Sequence, residues 1–209
     1  MTRILPGVIA MAAIVVASNI LVQFLILDGL LTWGAFTYPL AFLVTDVMNR
    51  IYGPAAARKV VFAGLVAGII CSLIGSQIML EFGPAVPIRV AIASATAFLV
   101  AQLLDIVVFN RFRGGAWWQA PLASTIVGSV VDTAIFFTIA FAGFFNSFSS
   151  FAAEQIIWAQ DMVPFLNTGP TVPLWVSLAV ADWGVKVFVA LIALIPFRLI
   201  VRHRLQPAI

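Results

Sequence analysis

Six long apolar stretches take up most of this 209-residue chain, and a few acids, amides and one lysine lie inside them. Hydrophobic residues make up 63% of the sequence and charged residues only 9%. A soluble domain carries roughly 25% charge. Most of this surface must therefore meet lipid, where a charge costs several kcal/mol and is rarely kept without a use. The buried polar groups are the route into function.

At about 20 residues per helical crossing, the apolar segments fall at 4–27, 34–52, 60–80, 88–109, 119–145 and 173–197. They predict an all-α polytopic membrane protein, with six transmembrane helices in one bundle and a single transmembrane domain over 1–209. A β-barrel would show about 10-residue segments of alternating hydrophobicity, and the sequence has none. With the N-terminus inside, nine cations fall on the cytoplasmic side: Arg3, Arg50, Arg58, Lys59, Arg111, Arg113, Arg198, Arg202 and Arg204. The outer side receives only Arg89, while Lys186 lies within the last span. That asymmetry predicts both termini in the cytoplasm. The net charge of +3 is thus topology. A nucleic-acid footprint would be a basic patch on one soluble face, so no nucleic-acid partner is expected.

Arg3, Ala17 and Ser18 fit a cleaved signal peptide only weakly, because the apolar run outlasts a 7–15-residue core. The lone Cys71 cannot make an internal disulfide. Gly64, Gly68, Ser72 and Ser76 put small residues on one face of span three, which suits close helix packing more than a subunit interface. Trp33, Tyr38, Trp117, Trp118, Trp158 and Trp175 lie near predicted span ends, where an aromatic belt is expected. The longest loop, 146–172, is external. Its residues Phe151, Ile156, Trp158 and Met162 predict a short amphipathic piece on the membrane surface, with a lid over an outer vestibule as the alternative. A weak internal echo pairs Phe42-Leu43-Val44 and Asp46 with Phe98-Leu99-Val100 and Asp105.

The polar residues form stripes, because residues three or four apart on a helix are surface neighbours. Asn19 and Gln23 share a face of span one. In span two Asp46 lies below Asn49 and Arg50. Span four offers Gln102 and Asp105, with Asn110 and Arg111 just beyond. Span five lines up Thr125, Ser129 and Asp132, and span six carries Asp182 and Lys186. Asp132, Asp182 and Lys186 fall near mid-membrane and Asn19 and Gln23 in the outer half; with Gln102, these are the expected substrate-binding residues. Asp46, Asn49, Arg50, Asp105, Asn110 and Arg111 form an expected cytoplasmic-side network, in which Asp46 pairs with Arg50 and Asp105 with Arg111. A purely structural alternative makes Asp182–Lys186 and Asp46–Arg50 neutral pairs that lower the insertion cost. Four spans that each bury an acid favour a solute or ion path instead.

Catalysis lacks its parts. The only histidine, His203, is in the tail, so Ser129 has no such base partner. No Cys/His/acid set stands at metal spacing, and no phosphate-cradling Gly-Lys-Ser/Thr loop occurs. Two facing aspartates could form a protease-like dyad, without an accompanying motif. The expectation is a non-enzyme with no metal, no cofactor and no ATPase of its own.

At these residues the chain resembles the queuosine precursor transporters, a vitamin-uptake-type family of small six-span bacterial membrane proteins. The matching stretches are Ala17-Ser18-Asn19 with Leu21-Val22-Gln23; Thr32 to Phe36 running on to Thr45-Asp46 and Arg50-Ile51-Tyr52-Gly53; Gln102-Leu103-Leu104-Asp105 through Phe109-Asn110-Arg111; Trp117-Trp118 with Ala120-Pro121; Ala123-Ser124-Thr125 with Gly128 and Asp132-Thr133; and Lys186-Val187. Span three carries no signature, and the 146–172 loop is longer than the resemblance leads one to expect. The resemblance implies a multi-pass protein of the cell inner membrane that imports a 7-deazaguanine, such as 7-cyano-7-deazaguanine or its aminomethyl relative, for salvage into the queuosine of tRNA. The buried residues suit that solute. A guanine-like edge presents a ring N–H beside an exocyclic amine, which one carboxylate accepts as a pair. Asp132 or Asp182 is the candidate carboxylate, Asn19 and Gln23 the amides, and Lys186 the holder of the empty-state carboxylate. The alternative function is a substrate-binding subunit of an ATPase-energised vitamin-type importer for another planar solute. Energy source, a homo-oligomer and a separate energising module stay open.

Overall fold

Proline and glycine decide where the helices of this chain begin and end. Pro6 sits in the first turn of α1 (Leu5–Leu21) and Pro54 opens α4 (Pro54–Gln77), where a missing N–H costs nothing. Gly53 separates α3 (Leu40–Tyr52) from α4 with φ 84° and ψ 174°, a backbone state that glycine enters freely. The computed structural model describes residues 3–81, 83–148 and 154–205. Its remaining helices are α2 (Gly34–Thr37), α5 (Ile88–Phe112), α6 (Gln119–Phe141) and α7 (Leu174–Leu205).

The segment expected as one helix over 34–52 is two pieces, α2 and α3, divided at Tyr38-Pro39. Pro39 has no N–H to give the carbonyl four residues back. The ladder tightens there, with Ala41 N donating to Tyr38 O at 3.0 Å and Phe42 N to Pro39 O at 3.1 Å. Other helix ends also move. α1 stops at Leu21, six residues short of the expected 27, because 25–32 turn back as a two-stranded hairpin with positive φ at Leu27, Asp28 and Gly29. α4 starts six residues before 60, at the proline, and α7 runs on to Leu205.

Among the described residues, α4, α5, α6 and α7 are long and apolar enough to cross a membrane, while α1 is shorter. The bundle has two unlike ends. The connections 22–33, 78–87 and 142–173 each contain an antiparallel hairpin. The opposite end has only Gly53 and 113–118 as links. Nine of the eleven lysines and arginines belong to that second end.

Residue character is inverted relative to a water-soluble core. Phe62, Leu73 and Ile74 of α4, Val107 of α5, and Phe188, Ile195 and Leu199 of α7 point outward, while Thr45, Asp46, Asn49, Gln102, Asp105, Ser129, Asp132 and Lys186 are buried. Lipid accounts for both halves of that pattern. Small residues let the backbones close over the polar interior. Gly64 lies under Met11 and Phe98, and Gly68 lies under Val15, so the small-residue face of span three serves internal packing. Gly128 of α6 lies under the Phe42 ring.

The long outer connection is anchored rather than laid on the surface. Ile156 and Ala159 are buried with Phe137, Ala140 and Phe141, and Trp175 packs against them. Trp158 and Met162 are exposed, and Phe151 lies outside the described residues. Arg89, at the hairpin-bearing end of the bundle, caps the end of α6. It donates to Ile139 O at 2.6 Å, Ala142 O at 2.5 Å and Asn146 Oδ1 at 2.7 Å, using carbonyls that a helix C-terminus leaves unpaired.

A Cβ at Gly128 would stand 2.8 Å from the Phe42 ring and 3.5 Å from Ala101 O, whereas one at Gly184 would meet nothing within 4 Å. Gly128→Leu should destabilise by about 1–3 kcal/mol through overpacking, while Gly184→Ala should be neutral or stabilising. Thermal unfolding in detergent checks the pair. Equal melting of the two variants would show that α6 is not seated on Phe42.

Candidate functional site

Among the described residues Lys186 carries the only ammonium in the bundle interior, and the elements around it are arranged to hold it. It is 3% exposed. Its three donors meet three acceptors: Asp132 Oδ2 at 2.6 Å, Asp182 Oδ2 at 2.5 Å and Thr133 Oγ1 at 2.9 Å. Asp182 reaches it because four residues on α7 bring the two side chains onto one face. Asp132 and Thr133 come from α6. Thr133 donates onward to Asp182 Oδ2 at 3.1 Å. Tyr38, at the break between α2 and α3, donates to Asp132 Oδ1 at 2.9 Å and sets its ring 5.5 Å from the ammonium. That distance is within cation–π range.

Two carboxylates thus surround one ammonium in an apolar setting. Both oxygens of Asp132 are engaged, and its side chain is 3% exposed. Asp182 differs: its Oδ1 makes no bond among the described residues, and its side chain is 18% exposed. The cluster therefore keeps one acceptor in reserve.

A narrow cleft adjoins the cluster between α1, α4 and α5. Asn19, Tyr38, Ser72, Ser94 and Phe98 supply its polar and aromatic lining. Tyr38 faces this cleft and also holds Asp132, so it stands between the opening and the buried charges. A second narrow cleft lies between α3, α6 and α7, with Pro39, Asp46, Thr125 and Phe197 in its wall. The two residues of the helix break, Tyr38 and Pro39, therefore face different clefts.

The structure gathers only part of the residue set expected from sequence. Asp132, Asp182 and Lys186 come together. Asn19 lines the outer cleft, with its Nδ2 on Val15 O of its own helix at 2.9 Å. Gln23 is exposed and donates to Ala85 O at 3.2 Å, which ties two outer connections together well away from Lys186. Gln102 is buried elsewhere, accepting from Thr45 Oγ1 at 2.5 Å.

The expected Asp–Arg pairs do not form. Asp46 accepts from Ser124 at 3.0 Å and Thr125 at 3.3 Å, and Asp105 has no hydrogen-bond donor on either oxygen. Arg50 donates to Arg113 O at 2.8 Å, and Arg113 donates to Asn49 O at 3.0 Å and Arg50 O at 2.8 Å. The last carbonyls of α3 and α5 lack a full set of ladder partners and draw the guanidinium groups away from the carboxylates one turn inward; Asn49 O takes Arg113 in addition to the Gly53 N–H. Arg111 is exposed. Asn49 and Asn110 both donate to Ile106 O. Tyr38 was expected in the aromatic belt and is instead part of the cluster; an aromatic directly before an intraspan proline was the available signal.

The chain matches the family described as "Putative vitamin uptake transporter" over residues 32–201 and belongs to it. It is a multi-pass membrane protein of that transporter family. It is 34% identical over 196 residues to the "Queuosine precursor transporter" of Escherichia coli (strain K12), covering 88% of this chain and 79% of the relative. It is 35% identical over 177 residues to the "Probable queuosine precursor transporter" of Haemophilus influenzae, covering 79% of this chain and 66% of that protein. A Bacillus subtilis protein with the same description is 33% identical over 134 residues, covering 54% of this chain and 58% of its own length. No solved structure matches.

Removing the lysine should unbalance the cluster far more than removing one acid. Lys186→Met strands two carboxylates and should lower stability by about 3–5 kcal/mol. Asp182→Asn leaves Lys186 bound to Asp132 and Thr133, so its loss should be smaller. Thermal unfolding of both proteins in detergent gives the order. A Lys186→Met variant as stable as the parent would mean that the acids do not depend on the ammonium.

Proposed function

We propose that this protein imports queuosine precursors, 7-deazaguanines of the 7-cyano or 7-aminomethyl type, across the cell inner membrane for tRNA modification. The observation that carries the reading is the buried Lys186–Asp132–Asp182 cluster at a broken helix, in a chain whose relatives bear that transporter name. α1 and the α2–α3 pair complete six crossings with the four long helices. The arginine-rich, short-connection end faces the cytoplasm, as the positive-inside rule requires, and both termini lie there.

A discontinuous helix beside buried charge is a recurrent way to build a midplane solute site. In the empty protein Lys186 occupies the carboxylates. An arriving base enters the outer cleft, where Asn19 and the Phe98 ring offer a hydrogen bond and an apolar face. It then displaces Tyr38. The ring N–H and exocyclic amine of the guanine edge need one carboxylate as a pair of acceptors. Asp182 meets them first through its free Oδ1, and Asp132 is the deeper acceptor once Tyr38 has left it. Lys186 keeps the other carboxylate and can donate to the ring carbonyl. The partners on this reading are the small-molecule base and the bilayer. No catalytic chemistry is required.

Two measurements test this. In cells unable to make 7-deazaguanines, expression of the protein should restore queuosine in tRNA at low external precursor; tRNA that stays unmodified would remove the substrate assignment. In purified protein, Asp132→Asn and Asp182→Asn put a donor against a donor, a loss of roughly 1–3 kcal/mol or more, so at least one should bind labelled precursor tenfold more weakly. Tyr38→Phe and Asn19→Ala should have milder effects. Parent-like binding by both asparagine variants would place the pocket elsewhere.

A further inference from the structure

The transport reading leaves a second group of buried polar side chains without a task. Between α3, α5 and α6, Asp46 is 2% exposed, while Asn49, Gln102 and Asp105 are fully buried. Four of their polar atoms have no hydrogen-bond partner: both oxygens of Asp105, Asn49 Oδ1 and Gln102 Nε2. Buried polar atoms are almost always paired, so so many in one seam point to something that is taken up there. Three of the four are acceptors. The missing component is therefore a donor or a positive charge.

Among the described residues no cation supplies it. On α3 and α5, Arg50 and Arg113 are committed to backbone carbonyls. Arg111 on α5 and Arg58 and Lys59 on α4 are exposed. On α7, Lys186 is held by Asp132 and Asp182, and the residues that share a cleft with Asp46 are the apolar Ala190, Ala193, Leu194 and Phe197. From α6 only the hydroxyls of Ser124 and Thr125 face the pair. Asp46 and Asp105 share one α3–α5 seam, bracketed by the Thr45–Gln102 and Asn49–Ile106 hydrogen bonds.

Two carboxylates buried in one seam without a cation are strongly disfavoured as a doubly ionised pair, and one bound proton resolves the conflict. A metal ion would need several oxygens and room for its shell. Here both Asp46 oxygens already accept from hydroxyls, and Asp105 is absent from the lining of the adjoining cleft. A proton needs neither space nor further ligands. We propose that Asp46 and Asp105 form a carboxyl pair that binds one exchangeable proton, and that this proton is the coupling ion of transport.

The surroundings provide a route. Asp46 and Thr125 border the cleft between α3, α6 and α7, which gives the pair contact with the arginine-rich end. Toward the lysine cluster, Thr125, Ser129 and Asp132 follow one another along one face of α6. A proton taken up from the outer side reaches the pair past Asp132 and Ser129, and it leaves through the cleft at Asp46 as the bound solute is released. Nothing is consumed except the gradient.

This proposal rests on the transport reading, and its test separates the two. Infrared spectroscopy of the purified parent at neutral pH should show the carbonyl stretch of one protonated carboxylic acid, absent in Asp105→Asn and removed by alkaline titration. This requires no transport and, in the parent, no variant that must fold. Parent protein alone in vesicles should then take up labelled precursor several-fold faster with an acid exterior, and Asp105→Asn should lose that response. Absence of a protonated carboxyl in the parent overturns the proposal, as does uptake that ignores a proton gradient or follows a sodium gradient. If the parent moves no precursor under any gradient, the substrate reading falls and the proton's coupling role falls with it, while the infrared band still decides whether the carboxyl pair binds a proton.

Discussion

Lys186 is the constraint around which the interior is arranged. An ammonium in an apolar medium is strongly unfavourable unless it is paired and fully hydrogen-bonded. The fold provides three acceptors at bonding distance and an aromatic face. Meeting that demand fixes the relation of α6 to α7 through Asp132 and Thr133, and the relation of both to the helix break through Tyr38. The hydrophobic faces could slide against lipid or against one another at little cost. The charges cannot, so they set the register.

The division between α2 and α3 follows from the same need. A continuous helix through 34–52 would bond its own backbone and present only side chains. With Pro39 removing one donor, the turn tightens, and Tyr38 sits at the point where the chain changes ladder. Its hydroxyl then belongs to the buried cluster while its ring lines the outer cleft. Movement at this one residue would alter the opening and the electrostatics together. Such a coupling requires no long pathway through the protein.

Much of this was legible in the chain. Lipid allows few backbone solutions, so apolar length and stripe spacing led directly to the helices and to Asp132, Asp182 and Lys186 as a set. Partner choice was less legible. Sequence-local logic put Arg50 on Asp46 at i+4, but the helix terminus next to Arg50 and Arg113 offered unpaired carbonyls nearer the water. Gln23 shared a face with Asn19, yet α1 ends at Leu21, so that face does not continue to residue 23. Tyr38 was hidden because an aromatic near an expected span end reads as belt; only the neighbouring Pro39 hints that the residue turns inward.

The two buried groups differ in how they resolve excess negative charge, and that difference suits them to separate tasks. The lysine cluster has all three lysine donors and both Asp132 oxygens engaged and keeps only Asp182 Oδ1 in reserve, so on the proposed reading an incoming base exchanges with an internal partner. Such an exchange keeps the number of hydrogen bonds roughly constant, and it avoids exposing a bare charge to an apolar interior. The Asp46–Asp105 group is left unsatisfied by the protein and can be completed only from solution. Ser129 and Thr125 join the two along α6 without introducing another charge. A proton moving along that stripe would change the charge balance near Asp132 at the moment the solute competes with Lys186. On the proton-coupled reading proposed above, uptake and release are linked by electrostatics within this one chain.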